Sequence, residues 1–272
     1  MNYGNEISQE NNLNATARLY IQENGLVYKE YFDFNELTRK NIENLLVIAK
    51  TPQLKTIGEL AFPEEIIEKD GRVIGYTMPY CPGRQLLDYI NDENISFDAK
   101  LSCFAQLAGV IARLPGNIYI GDLHMKNVIV DEAGKIHVID MDGFSVQEAN
   151  LLSCPMARII EKDSRFQRTK YQQNGAVIVS RNTDILCFFD GFLYLLLGRI
   201  FFTMYSPKCF LDYLNYLERT SFPKALIEDI RTLFVDEPNR ITVSAFKEIN
   251  PADAEQYTFR AYAKQISKNL SK

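Results

Sequence analysis

Alternation of apolar and polar residues dominates the first 80 positions. The runs ARLYI and LVYKEY flank Glu23-Asn24-Gly25, a turn signal, and predict a β-hairpin. In the second strand a period of two puts Val27, Lys29 and Tyr31 on one face and Leu26 and Tyr28 on the other. Lys29 therefore points wherever Val27 points. Over Asn35–Ala49 the period lengthens: Leu37, Ile42, Leu45, Leu46 and Ile48 form the broad apolar face of a helix, with Asn35 as N-cap and Pro52 marking its end. EEIIEKDGRVIGYTMPY returns to strand, Asp-Gly turn, strand, so this stretch predicts a small sheet with one helix. Pro82-Gly83 then breaks the pattern.

From Leu86 onward the periodicity is helical, in LLDYI, in Ala99–Arg113, and near 184–198, 208–218, 224–234 and 252–268. One interruption stands out. The short apolar runs NVIV and IHVI flank Asp131-Glu132-Ala133-Gly134, which places a hairpin inside a helical region. The longest apolar run, Ile185 to Tyr205, contains Asp190, Gly191, Gly198 and Arg199. Charges there would be costly in a bilayer, so a buried helix is expected. The N-terminal MNYGNEISQENNLN has no apolar stretch after a basic start and reads as a polar lead-in, not a secretion signal.

Composition narrows the class. A chain of 272 residues, 46% hydrophobic and 24% charged, with no internal repeat, suits a globular protein of one large domain or two lobes. A net charge of −5 argues against a protein that coats nucleic acid, leaving only local basic patches for phosphates. Cys81, Cys103, Cys154, Cys187 and Cys209 are scattered, odd in number and without CxxC spacing. Neither a disulfide framework nor a zinc site is expected, and a reducing cytoplasm fits.

The chemistry concentrates in IYIGDLHMKNVIVDEAGKIHVIDMDGF. Asp122 and Asn127 lie five apart before one strand, and Asp140 follows the next. The hairpin brings Asn127 and Asp140 to one rim, where an amide oxygen and a carboxylate are hard ligands suited to Mg²⁺. Asp122 is then a nearby carboxylate free to orient or deprotonate a hydroxyl. Taken alone, a D-x-x-x-x-N is weak and more often marks a turn of solvated polar groups.

The ordered set resembles the protein-kinase superfamily, whose catalytic loop reads HRDxxxxN and whose metal-binding DFG follows a short hairpin. The resemblance covers about residues 15–250 and implies a bilobal α+β fold. Residues 1–78 would form a small β-sheet lobe with one helix, and residues 79–272 a larger, mainly helical lobe. It implies ATP and Mg²⁺ as cofactors, with Lys29 on the phosphates, Glu43 in IENLL as its partner, and Glu36 as a competing partner. GYTMPYCPGRQLLDYI is similar to the hinge: Met78 limits the pocket, Val27 and Met78 flank the adenine, and Pro79 to Cys81 run past it. Pro79 lacks only a donor that is not needed, while Cys81 keeps its N–H. RNTDILCFFDGFLYLLLG resembles the central helix whose Asp184 ties the catalytic loop. FPKALIEDIRTLFVDEPNRITVSAFKEI resembles the closing helices, with a turn at Asp236, Pro238 and Arg240.

The departures matter as much. ISQENNLNATARLY has no glycine where the family has a glycine-rich loop; it forms either an unusual phosphate loop or a polar lead-in. Ile120-Gly121 replaces His-Arg, so activation gated by phosphorylation is not expected. His124 gives GDLH, a pattern similar to aminoglycoside and related small-molecule kinases. There it would assist at the transferred phosphate or simply pack on the hairpin, whereas His137 reads as structural. Asp140-Met141-Asp142 stands for DFG, with Met141 filling the phenylalanine slot and Asp142 without an assigned role. No APE motif lies between Ser145 and Asn182, which leaves Arg240 without its usual glutamate. Three functions are thus weighed: a protein Ser/Thr kinase first, a small-molecule kinase second, a non-catalytic pseudokinase third. The substrate would be a protein or small-molecule hydroxyl, with no nucleic-acid or membrane partner and an open oligomeric state.

Overall fold

The computed structural model describes residues 5–6, 16–146, 149–151, 172–173, 176–197, 207–235 and 244–270. Its N-terminal part is an antiparallel sheet built from β1 (Asn5–Glu6), β2 (Ala17–Ile21), β3 (Leu26–Tyr31), β4 (Glu65–Lys69) and β5 (Arg72–Pro79), in the order β1-β2-β3-β5-β4. Gly25, at φ +78°, closes the first hairpin, and Asp70-Gly71, both at positive φ, close the second. Between the hairpins lie α1 (Glu36–Ala49) and the short α2 (Pro52–Lys55). Asn35 caps α1 by accepting from the Thr38 amide at 3.0 Å. Leu45 and Ile48 supply its buried face.

In β3 and β5 the register sets Val27 opposite Met78 and Lys29 opposite Tyr76. Gly75 makes this approach possible: a Cβ there would lie 2.1 Å from the Lys29 carbonyl oxygen and 2.8 Å from the Tyr28 ring.

The rest is mainly helical, interrupted by short strands. In chain order it comprises β6 (Arg84–Gln85), α3 (Leu86–Asn91), α4 (Phe97–Arg113), β7 (Ile118–Tyr119), β8 (Val128–Val130), β9 (Ile136–Val138), β10 (Ser145–Val146), β11 (Ala149–Leu151), β12 (Gln172–Gln173), β13 (Ala176–Val179), α5 (Arg181–Leu197), α6 (Pro207–Leu217), α7 (Lys224–Val235) and α8 (Phe259–Leu270). The periodicity around 252–268 resolves into two pieces, a 3-10 segment Pro251–Tyr257 and α8. Thr258 causes the break: its hydroxyl accepts from the Ala261 amide at 3.2 Å, a capping bond that restarts the helix. Among the described residues no helix is long and apolar enough to cross a membrane. Among the described residues, Cys81, Cys103 and Cys187 form no disulfide.

Among the described residues two apolar clusters result. A small one under the sheet contains Ala17, Val27, Tyr31, Leu45, Ala61, Tyr76 and Met78. The larger one is centred on α4 and α5, with Phe104, Phe188, Phe192 and Phe246 in edge-on contact. It also receives Leu54, Ile57, Leu60 and Phe62, which precede the sheet's last two strands in sequence. That segment runs alongside β9: the Val138 amide donates to Glu59 at 2.7 Å and the Ala61 amide to Val138 at 2.9 Å. Glu59 also pairs with Arg113 at the end of α4, at 2.9 Å.

Three polar side chains hold the loops between these helices. Gln106 of α4 donates to Gly134 at 2.9 Å and accepts from the Ile136 amide at 3.1 Å, so it seats the β8–β9 hairpin. Arg181 donates to the carbonyls of Ile111, Leu114 and Pro115, closing the end of α4. Asp184, fully buried, accepts from the Ile120 and Gly121 amides at 2.8 and 2.9 Å. Burial pushes its carboxyl up to about 6 despite these two bonds. Gly121 itself sits at φ +71°, and a Cβ there would meet the Gly143 carbonyl oxygen at 3.0 Å. Only glycine suits that position without strain.

Asp184→Ala would strand two buried amides and is expected to cost about 2–4 kcal/mol of stability in chemical denaturation. Gly121→Ala, forced into a left-handed conformation against Gly143, is expected to cost about 1–3 kcal/mol in the same measurement.

Candidate functional site

The site forms where the sheet meets the β8–β9 hairpin. Pairing of Val128 with Val138 and of Val130 with Ile136 extends one step further, because the Ile139 amide donates to Asn127 at 3.0 Å. Asn127 therefore stands beside the residue preceding Asp140. Asp140 takes φ 65°, ψ 47°, a left-handed conformation that Asp tolerates better than most side chains. From there the chain turns into a one-turn 3-10 segment, Met141–Gly143, which buries Met141 and Asp142 under the sheet.

Lys29 comes down from β3 into this turn. Its ammonium bonds to Asp140 and, at 2.8 Å, to Asp142 Oδ1. Asp142 also accepts from the Tyr76 hydroxyl at 3.0 Å and, on Oδ2, from the Tyr31 hydroxyl at 2.8 Å. Burial would raise its carboxyl, but the Lys29 charge and the donated hydrogen bonds outweigh burial and hold it below the usual carboxylate range. At Asp140 burial dominates and raises the carboxyl against the attraction of Lys29. Burial lowers the Lys29 ammonium, yet the two carboxylates together raise it, so it stays charged at neutral pH. Desolvation and the adjacent Asp142 push the Tyr31 and Tyr76 phenols up, so both remain hydrogen-bond donors.

Asp122 occupies the loop before β8. Asn127 donates through Nδ2 to the Asp122 carbonyl at 3.2 Å, leaving its own Oδ1 as the ligand-type atom. His124 Nε2 lies 3.7 Å from Asp122 Oδ2, while its Nδ1 accepts from the Lys126 amide at 3.2 Å. Asp122 Oδ1 is buried and has no hydrogen-bond partner. A carboxylate oxygen seldom forgoes a partner when buried, so this one is open to a donor brought by a ligand. His137 lies apart from this group, bonded to Asp131 at 3.0 Å in the hairpin turn.

Above the site, Val27 and Met78 pack together with the half-buried Cys81 and Ile139 in the sheet's apolar cluster. Cys81 Sγ lies 3.6 Å from the Pro79 carbonyl, and the Tyr80 amide donates to Gly25 at 3.0 Å. The sequence-selected residues Lys29, Asn127 and Asp140 thus converge at one end of the hairpin, with Asp122 and His124 beside Asn127. Glu43 does not join them. It is exposed on α1, as is Glu36, and Lys29 is satisfied by Asp140 and Asp142 instead.

Tyr31, Tyr76 and the role of Asp142 escaped the sequence reading. A signal existed: Tyr31 shares the Lys29 face by the strand period, and a residue directly across an antiparallel pair shares that face too. The register that makes Tyr76 that residue was not legible. The residues 7–15 of the expected phosphate loop, most of 145–182, and Asp236, Pro238 and Arg240 lie outside the described residues.

No protein-family model matches this chain, and no curated protein matches it either. Among solved structures it is similar to the kinase PK-1 of Cydia pomonella granulovirus, at 13% identity and a TM-score of 0.54, over 91% of each chain. At that identity the likeness speaks for architecture: an antiparallel sheet set on a helical body in a bilobal, kinase-like fold.

Proposed function

We propose that this chain is an ATP- and Mg²⁺-dependent phosphotransferase, most specifically a protein Ser/Thr kinase. The observation that carries this is the meeting of Lys29, delivered by the sheet, with Asp140, delivered by the hairpin, beside the unpartnered Asp122 oxygen. An ammonium, two oxygen ligands and a free carboxylate oxygen are what a phosphoryl-transfer centre asks of a protein. The structural likeness to the granulovirus kinase supports the same reading.

The donor set fits the cofactors. Asn127 and Asp140 would hold Mg²⁺, which takes one or two protein oxygens and completes its shell with phosphates and water. Among the described residues no cluster of three or more His, Cys, Asp or Glu side chains is arranged around a metal. A site shared with phosphates needs none. Bound there, the ion supplies neutralisation of phosphate charge.

The chain's own residues divide the remaining work. Val27 and Met78 give the adenine an apolar wall, and the backbone from Pro79 to Cys81 offers it a carbonyl and an N–H. Lys29 exchanges Asp140 for a phosphate oxygen and fixes its position. Asp122 accepts the proton of the acceptor hydroxyl as that oxygen bonds to the γ-phosphorus and the bond to the ADP oxygen breaks. His124, close to Asp122, is placed to donate to a phosphate oxygen. A small-molecule hydroxyl would meet the same groups, and the GDLH pattern favours that second reading.

Asp140→Asn is expected to weaken Mg-ATP binding and transfer together, because the ion reaches the protein through that carboxylate. Asp122→Asn should bind Mg-ATP nearly as wild type and lose transfer by roughly 10²–10⁴-fold. Titration calorimetry and a phosphate-transfer assay with peptide and amino-alcohol acceptors read both effects. The opposite pattern would overturn the assignment of these two residues. In thermal shift, ATP should stabilise the wild type markedly more with Mg²⁺ than with chelator.

A further inference from the structure

Lys29 faces two carboxylates that differ in kind. The Asp140 side chain is about one-third exposed at the rim of the hairpin, where it can turn to another ligand. That of Asp142 is only 3% exposed, and both its oxygens are engaged: Oδ1 by Lys29 and Tyr76, Oδ2 by Tyr31. It cannot leave Lys29 without also stranding two buried phenols. Tyr31 and Tyr76 sit on neighbouring strands, and Gly75 lets those strands close at Lys29, so the sheet itself aims both hydroxyls at one carboxylate. Glu43, the residue that would pair with a strand lysine from α1, is solvent-facing.

We propose that Asp142, oriented by Tyr31 and Tyr76, is the positioning residue for Lys29, in place of a glutamate on α1. When Asp140 turns to a metal, Asp142 stays and keeps the ammonium extended toward the phosphates. The aim of Lys29 then depends on the sheet and the turn after β9, which are joined by these bonds, and not on where α1 lies. The pairing is a property of the free protein; its consequence for nucleotide rests on the function proposed above.

The test uses the full chain in wild-type, Asp142→Asn, Tyr31→Phe, Tyr76→Phe and Glu43→Gln forms. In nucleotide-free protein carrying ¹⁵N-lysine, the Lys29 ammonium signal should be protected from solvent exchange in wild type and Glu43→Gln, and lose protection in Asp142→Asn. ATP affinity should fall roughly 10- to 100-fold in Asp142→Asn, and less in either Tyr→Phe form, while adenosine affinity stays at the wild-type value. A loss of packing alone would weaken both ligands equally. Should Asp142→Asn fail to fold, the isosteric Tyr76→Phe against Glu43→Gln makes the same comparison. Weakened ATP binding in Glu43→Gln, or an unchanged Lys29 signal and ATP affinity in Asp142→Asn, would overturn the proposal. If wild type bound no nucleotide while the Lys29 signal still required Asp142, the phosphotransferase function would fall and the pairing would stand.

Discussion

A partly buried charge cluster, Lys29 with Asp140 and Asp142, joins the two halves of this protein. One ammonium between two carboxylates leaves an excess negative charge, and burying such charges is costly unless each is paired and hydrogen-bonded. The cost is met by geometry. Tyr31 and Tyr76 each donate to Asp142, and both oxygens of that carboxylate are filled. Strand register, the glycine at position 75 and the left-handed turn at Asp140 all serve this convergence, because each decides which atoms can reach the others.

The helical part supplies rigidity from beneath. Asp184, Arg181 and Gln106 are polar groups on long apolar helices, and each satisfies backbone atoms that a loop would otherwise leave unpaired. The loop from Ile120 to Asn127 is thereby fixed at both ends, by Asp184 at its start and by the Asn127–Ile139 bond at its finish. This frame leaves Asp122 with one buried oxygen unsatisfied while its neighbours are bonded. Such an orphaned atom inside an otherwise well-paired loop is a local sacrifice of stability of the kind that functional sites retain.

Gly121 shows how one residue answers to two constraints. The sequence presents it as the loss of an arginine that would bind an activating phosphate. In the fold it is the position where the loop before β8 crosses the turn after β9, at positive φ and 3.0 Å from a backbone oxygen for any added Cβ. A side chain there would meet a close contact and a strained backbone together, so any larger residue costs stability at this point.

The elements that depend on short-range pattern were legible from the sequence alone. Both hairpins announced themselves through Asn-Gly and Asp-Gly turns, α1 through its apolar face and Asn35 cap, and the hairpin carrying Asn127 and Asp140 through two apolar runs around Asp131–Gly134. Period and turn chemistry are local, so they survive without knowledge of partners. Thr258, a capping residue inside a helical period, was read through because both signals occupied the same stretch. What only tertiary structure decided was which charges meet. Lys29 could be assigned a face but not a partner, since that depends on the register of β3 with β5 and on how far the turn at Asp140 carries Asp142 beneath the sheet. These are separations of about a hundred residues in sequence, 113 between Lys29 and Asp142, and no local periodicity spans them; packing of the sheet on the hairpin brings them together.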